Sequence, residues 1–146
     1  MQQNTYMLKT AEVKRVWHLV DAKDRILGQV ATEIAMKLNG RNKREYTPHI
    51  DAGDFVVVVN AALVAVTGKK ETNKIYYTHS NIPGGFRQRS LTELRRDKPE
   101  EIIIKAVNNM LPKNKLRALR LKRLKVYPTA EHPHVSQFEK SKQPER

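Results

Sequence analysis

His49, Asp51 and Asp54 are the residues of this sequence best placed to do chemistry. Two carboxylates stand three positions apart beside an imidazole, in the run YTPHIDAGD. Such a set can hold Mg²⁺ and serve phosphodiester hydrolysis. The same residues, arranged around Ala52-Gly53, also suit a turn in which aspartates cap backbone amides. No further acid cluster completes a two-metal site, so the turn is the simpler account and a metal-dependent nucleic-acid hydrolase is the alternative. VTGKK (66–70) resembles the end of a phosphate loop, but the G-x-x-x-x-G-K spacing fails because Leu63 stands where the first glycine would be. His132 and His134 flank a proline, and two imidazoles without a third ligand make a weak metal site; phosphate contact or packing in a bound form suits them better. No serine sits in a nucleophile elbow. The reading is therefore no catalytic residue, no metal, no cofactor and no small-molecule substrate.

The other chemistry on offer is charge. From Lys113 to Lys125 the chain carries seven Lys/Arg, no acid and four leucines. On a helical wheel Leu116, Leu119, Leu121 and Leu124 spread over about 200°, with cations among them, and strand alternation fits no better. A segment apolar and cationic on most sides suits a polyanion that meets the cations while the leucines touch the protein. Lys113, Lys115, Arg117, Arg120, Lys122, Arg123 and Lys125 are accordingly assigned to that polyanion, and Arg120 and Arg123 are expected to be dispensable for folding. Lys69, Lys70 and Lys74 form a charged turn. Gly84 and Gly85 allow close backbone approach to a phosphate, with Arg87 and Arg89 directly after them.

The whole chain shares this bias: 146 residues hold 28 Lys+Arg against 15 Asp+Glu, a net charge of +13. That surplus points to nucleic acid or an acidic membrane surface. With no cysteine, disulfides and thiolate chemistry are excluded. No apolar run approaches the ~20 residues of a membrane span, and the first residues lack a signal-peptide core. A soluble cytoplasmic protein is expected; a processed organellar protein would present the same features.

These residues need elements to position them. VWHLVDA (16–22) reads as a strand. DRILGQVATEIAMKLNG reads as a helix with Asp24 as N-cap and Gly40 as stop, Gly28 near its start serving as a packing glycine. FVVVVNA (55–61) reads as a strand buried on both faces. LVAVTG (63–68) is a short strand or a continuation past a turn at Asn60, and IYYTHS (75–80) another strand. NIPGGFRQR (81–89) reads as a loop. Ser90 or Thr92 caps a short helix, and Pro99 opens a longer one whose apolar stripe runs Ile102, Ile103, Ala106, Val107, Met110 and Leu111. Strands apolar on both faces alternating with amphipathic helices imply an α/β layered domain with a mostly parallel or mixed sheet. Residues 1–14 form an N-terminal extension, 15–127 one α/β domain that includes the basic segment 112–127, and 128–146 a Pro-rich, extended C-terminal tail.

Seven stretches in order resemble one family. WHLVDAKDRILG (17–28), YTPHIDAGDFVVVVNA (46–61), VTGKK (66–70), PGG (83–85), MLPKNKL (110–116), LKVY (124–127) and EHPH (131–134) with Gln137 are similar to the bacterial-type ribosomal protein thirteen family of the large subunit. The resemblance implies a three-layer α/β/α domain with basic loops and extended termini. It also implies a non-enzymatic constituent of the ribosome with an early role in subunit assembly. Its partners would be large-subunit ribosomal RNA and neighbouring large-subunit proteins. By the resemblance the RNA-facing surface takes in Arg41, Lys43, Arg44, Thr47 and His49, then Gly84, Gly85 and Arg87, then Lys113, Lys115 and Arg117. The chain departs from the family pattern at Gln29, Asn109, Arg117 and Pro128-Thr129.

Overall fold

The computed structural model describes residues 6–141. Strand β1 (Trp17–Asp21) leads to helix α1 (Leu27–Asn39) and strand β2 (Phe55–Val59). A one-turn helix α2 (Lys70–Asn73), a hairpin of β3 (Ile75–His79) and β4 (Phe86–Ser90), and helices α3 (Leu91–Asp97) and α4 (Pro99–Met110) follow. Helix α5 (Leu116–Lys122), strand β5 (Leu124–Val126) and helix α6 (Val135–Ser141) complete the chain. The main sheet is fully parallel in the order β1-β2-β5, with Trp17 opposite Phe55 and Val57 opposite Lys125.

β2 is the middle strand, and its valines are buried on both faces. On one face Val20, Val56, Val58 and Leu124 pack against Val30, Ile34 and Leu38 of α1 and Ile103 and Val107 of α4. Successive strand side chains alternate in direction, so Trp17 and Phe55 point to the other face. There their rings stack at 4.4 Å, and Phe138 of α6 meets Trp17 edge-on at 6.3 Å. The layers are therefore α/β/α, with the second helical layer supplied by the chain's last element. The expected extended tail is corrected here for residues 135–141. Its Phe138 ring meets His132 nearby at 5.6 Å and also reaches Trp17 on β1, far away in the sequence.

α1 closes as its sequence requires: Gly40 adopts φ 78° and its N–H reaches the carbonyls of Met36 and Lys37. Its start differs from expectation. Asp24 is in a left-handed turn (φ 55°), the N-cap is Ile26, and no side chain caps the helix. The opening amide of Leu27 instead donates to Ala65 at 2.8 Å. Gly28 is not a packing glycine either, since a Cβ there would meet nothing within 4 Å. Residues 61–63 form a 3₁₀ turn after Asn60 (φ 57°), and only an isolated bridge joins Ala65 to Ile26. Ser90 caps α3 through a reciprocal box with Glu93, and Pro99 starts α4. Of the α4 stripe, Met110 turns out to be exposed.

Two stretches of the sequence resolve differently from their reading. Residues 86–90 are a strand paired antiparallel with β3, not loop. The basic segment is a helix followed by a strand, so its four leucines never share one wheel: Leu124 belongs to β5 and is buried, while Leu119 on α5 is exposed.

The tail's attachment is expected to respond to pH. His134 accepts or donates at 2.8 Å to the Tyr127 hydroxyl beside Trp17, and burial, then His132, then Lys125 hold its pKa below the ordinary histidine value. A lowered histidine pKa favours the neutral folded form. Its contribution is complete above about pH 6.5, the unfolded value, and is lost as pH falls through the lower folded value. Emission from Trp17, the sole tryptophan, is expected to shift red between pH 7.5 and 5. The shift should vanish in His134→Gln.

Candidate nucleic-acid interface

The cations divide into two sets by where the fold aims them. One set faces inward. Arg123 is 7 % exposed and grips Asp51 with both terminal nitrogens, Nη2 reaching Oδ1 at 2.6 Å. The same guanidinium donates to the carbonyls of Leu38 (3.3 Å) and Asp54 (3.4 Å). Arg120, 1 % exposed, lies with Nε 3.7 Å from Asp51 Oδ1. Lys43 spends its donors on Asp54 Oδ1, the Lys14 carbonyl (2.6 Å) and the Ala52 carbonyl (2.9 Å). Thr47 is buried and its hydroxyl accepts from the amide of Leu8. Arg120, Arg123 and Thr47 are buried, and half-buried Lys43 has its donors committed to protein oxygens. Their assignment to a polyanion is corrected on that ground, as is the expectation that Arg120 and Arg123 are dispensable for folding.

The aspartates are equally committed. Asp54 is 1 % exposed and accepts from the Val16 amide (3.0 Å) besides pairing with Lys43, and its Oδ2 lies 2.9 Å from His18 Nε2. Asp51 holds Arg123, with Arg15 Nη2 at 3.8 Å. His49 points to solvent, apart from both. Among the described residues no group of three or more His, Asp and Glu could hold a metal ion. Asp51 and Asp54, without His49, are a structural anchor for the loop that leads into β2.

The second set faces outward. Arg41, Arg44 and His49 are exposed on the loop after α1. Lys113, Lys115, Lys122 and Lys125 are exposed in the basic segment, with Arg117 half-buried. Lys69, Lys70 and Lys74 are exposed around α2, and Arg87 and Arg89 on β4. His132 and His134 are half-buried, ring against ring at 6.5 Å. In the Pro-Gly-Gly turn Gly84 has φ 74°, whereas a Cβ on Gly85 would fall 2.0 Å from Ser80 Oγ. Gly85 thus serves the turn itself.

The hairpin also presents groups that the sequence reading passed over. Its pairing register puts Tyr77 and Phe86 on one face and Tyr76, Arg87 and Arg89 on the other. Tyr77 and Phe86 are 62 % and 59 % exposed and stacked at 5.6 Å. On the opposite face Lys105 of α4 sits 5.1 Å from the Tyr76 ring centroid. A strand with no buried face has no apolar alternation to betray it, and Lys105 is hidden by its place beside the apolar stripe of an amphipathic helix.

Comparison with known proteins identifies the family of the chain. Residues 15–133 match the family described as ribosomal protein L13. The chain belongs to that family. It is 52 % identical over 137 residues to the large ribosomal subunit protein uL13 of Laribacter hongkongensis, covering 94 % of this chain and 96 % of the relative. It is 53 % identical over 133 residues to the same protein of Dictyoglomus thermophilum (91 % and 94 %). The uL13 of Alcanivorax borkumensis is 50 % identical over 133 residues (91 % and 94 %). An L13-family chain is a ribosomal protein of the large subunit and not an enzyme. Among the described residues no helix is long and apolar enough to cross a membrane.

The division of cations sets a clear expectation. Arg123→Ala removes the two-pronged partner of partly buried Asp51, together with the donor to the Leu38 and Asp54 carbonyls, and should cost about 3 kcal/mol in urea unfolding. Lys122→Ala, one residue away and exposed, should change stability by no more than about 0.5 kcal/mol.

Proposed function

We propose that this protein binds large-subunit ribosomal RNA through its outward-facing cations and exposed hairpin, and that this contact supports early assembly of the subunit. The observation that carries the reading is the hairpin. It projects stacked Tyr77 and Phe86 on one face and Arg87 and Arg89 on the other, with no apolar layer covering its outer side. A lone two-stranded hairpin is marginal in water; exposed aromatics on one face suit unstacked bases, and guanidinium groups on the other suit phosphates. Residues 15–127 act as the RNA-binding unit. Arg41, Arg44 and His49, the α2 lysines Lys69, Lys70 and Lys74, and Lys113, Lys115, Arg117, Lys122 and Lys125 supply phosphate contacts. Neighbouring large-subunit proteins are the further partners, and the ribosome in the cytoplasm is the place of action. RNA of this kind is read by shape, phosphates and 2′-hydroxyls, which suits loops and a hairpin better than one recognition helix.

Filter binding of the purified protein to large-subunit ribosomal RNA across a salt series tests the reading. With about six phosphates engaged, log K should fall against log salt with a slope near −4 to −5. A slope flatter than about −1.5 would overturn it.

A further inference from the structure

Between α1, α4 and the base of the hairpin lies a cavity of about 230 Å³. Its walls are apolar: Leu27, Val66, Leu91, Ala106 and Met110, with the Tyr76 ring. Its rim is not. Lys70, Lys74 and Lys105 line it, with the side chains of Thr67 and Asn109, and no lining residue is acidic. Lys74 Nζ lies 5.5 Å and Lys105 Nζ 5.1 Å from the centroid of Tyr76. Lys105 is partly countered by Glu101 at 3.4 Å; no acid faces Lys70 or Lys74 within ion-pair distance among the described residues. Gly28 forms part of the wall, and a Cβ there would meet no atom within 4 Å. The helix thus carries a glycine where the local packing does not call for one, and the space beside it stays open.

We infer that this cavity receives the base of one unpaired nucleotide of the bound RNA, with the adjoining phosphates held by Lys70, Lys74 and Lys105. The inference rests on the RNA-binding reading above and adds a specific occupant to it. The volume is below the range of about 300–1,000 Å³ that drug-sized ligands fill, which suits a single ring system. An apolar slot under a cationic rim matches a base with its phosphate in both chemistry and order. An apolar side chain from a neighbouring protein would leave the ammonium groups of Lys70 and Lys74 without a counter-charge. Asn109 offers a donor and an acceptor to the base edge, and Tyr76 offers a ring to stack on.

Two variants close the slot from opposite walls without removing charge: Gly28→Phe from α1 and Asn109→Tyr from α4. Each is measured as the full chain for thermal stability, for affinity to large-subunit ribosomal RNA over a salt series, and for base protection in that RNA by chemical probing. The expected result is a melting temperature near that of the wild type and affinity about tenfold weaker. The salt slope should not change, and one unpaired nucleotide protected by the wild type should become reactive. If either folded variant binds as tightly as the wild type with the same protections, no base occupies the cavity and the inference fails while RNA binding stands. If affinity drops only in Lys70→Gln/Lys74→Gln, the site is a phosphate contact alone and the inference also fails. If the wild type itself binds with a flat salt slope, the RNA-binding reading fails first.

Discussion

The fold is tied together at the fork between Arg123 and Asp51. One guanidinium at the start of β5 joins four places: the Asp51 carboxylate, the Leu38 carbonyl near the end of α1, the Asp54 carbonyl at the mouth of β2, and its own strand. Breaking a buried pair by removing one member leaves the other charge desolvated and alone, which is why such a contact fixes an arrangement more firmly than it stabilises it. Gly53 completes the joint. A Cβ at that position would lie 1.8 Å from the Leu38 carbonyl oxygen and 2.9 Å from Arg123 Nη2. Any side chain there would push the loop off the helix end that Arg123 also holds. Asp54, next in sequence, repeats the device toward the other side by fastening Val16, His18 and Lys43. The loop between α1 and β2 is thus bound by charge on both sides of a glycine too crowded to be replaced.

This joint explains what the sequence could and could not show. The helices α1 and α4 and the middle strand β2 follow from local pattern, because their apolar spacing answers to one core face or two. The Ser90 cap and the Gly40 stop are equally local, each needing only its own neighbours. The basic segment defeats the same method because the chain changes period inside it, helix to Lys122 and strand from Leu124. It also carries two arginines whose partners lie about seventy positions earlier. A lysine or arginine in a sequence has a type but no direction. Lys43 and Arg44 are adjacent in the chain, yet one is locked onto Asp54 and the other faces solvent. The resemblance to a ribosomal family reached the right class through residue identities in order, not through geometry, and so it marked Thr47 and Lys43 for RNA along with Arg41 and Arg44.

The tail and the hairpin illustrate the converse. β3 reads as a strand from its own sequence, but neither the tail nor β4 has enough apolar content to announce an element, and each is structured by what it meets. Phe138 finds the Trp17–Phe55 stack, and β4 finds β3. The hairpin's inner side then rests on a satellite core in which Leu91, Leu94 and Ile102 gather with Leu27, Val66 and Tyr76. Tyr76 is therefore both part of the support and part of the cationic surface, since burial raises its pKa while Lys74 and Lys105 lie over its ring. Position and chemistry are linked at that one residue: whatever binds there is read by groups whose placement depends on the packing of α3 and α4.

Sorting cations inward and outward also sets how the molecule answers to salt. Inside, the charges are paired and shielded by protein, so ions in solution reach them little. Outside, the net +13 repels itself and lowers the stability of the compact free protein. Added salt relieves that repulsion and should stabilise the unbound chain. The same salt weakens a complex held by phosphate contacts, because releasing the same counterions into a more concentrated solution gains less free energy. The two responses have opposite signs because they arise from the same exposed charges, counted once as neighbours of each other and once as neighbours of RNA. A chain built this way is at its least comfortable alone in dilute buffer. Its surface repulsion is removed most completely by a polyanion that meets the cations where the fold has already aimed them.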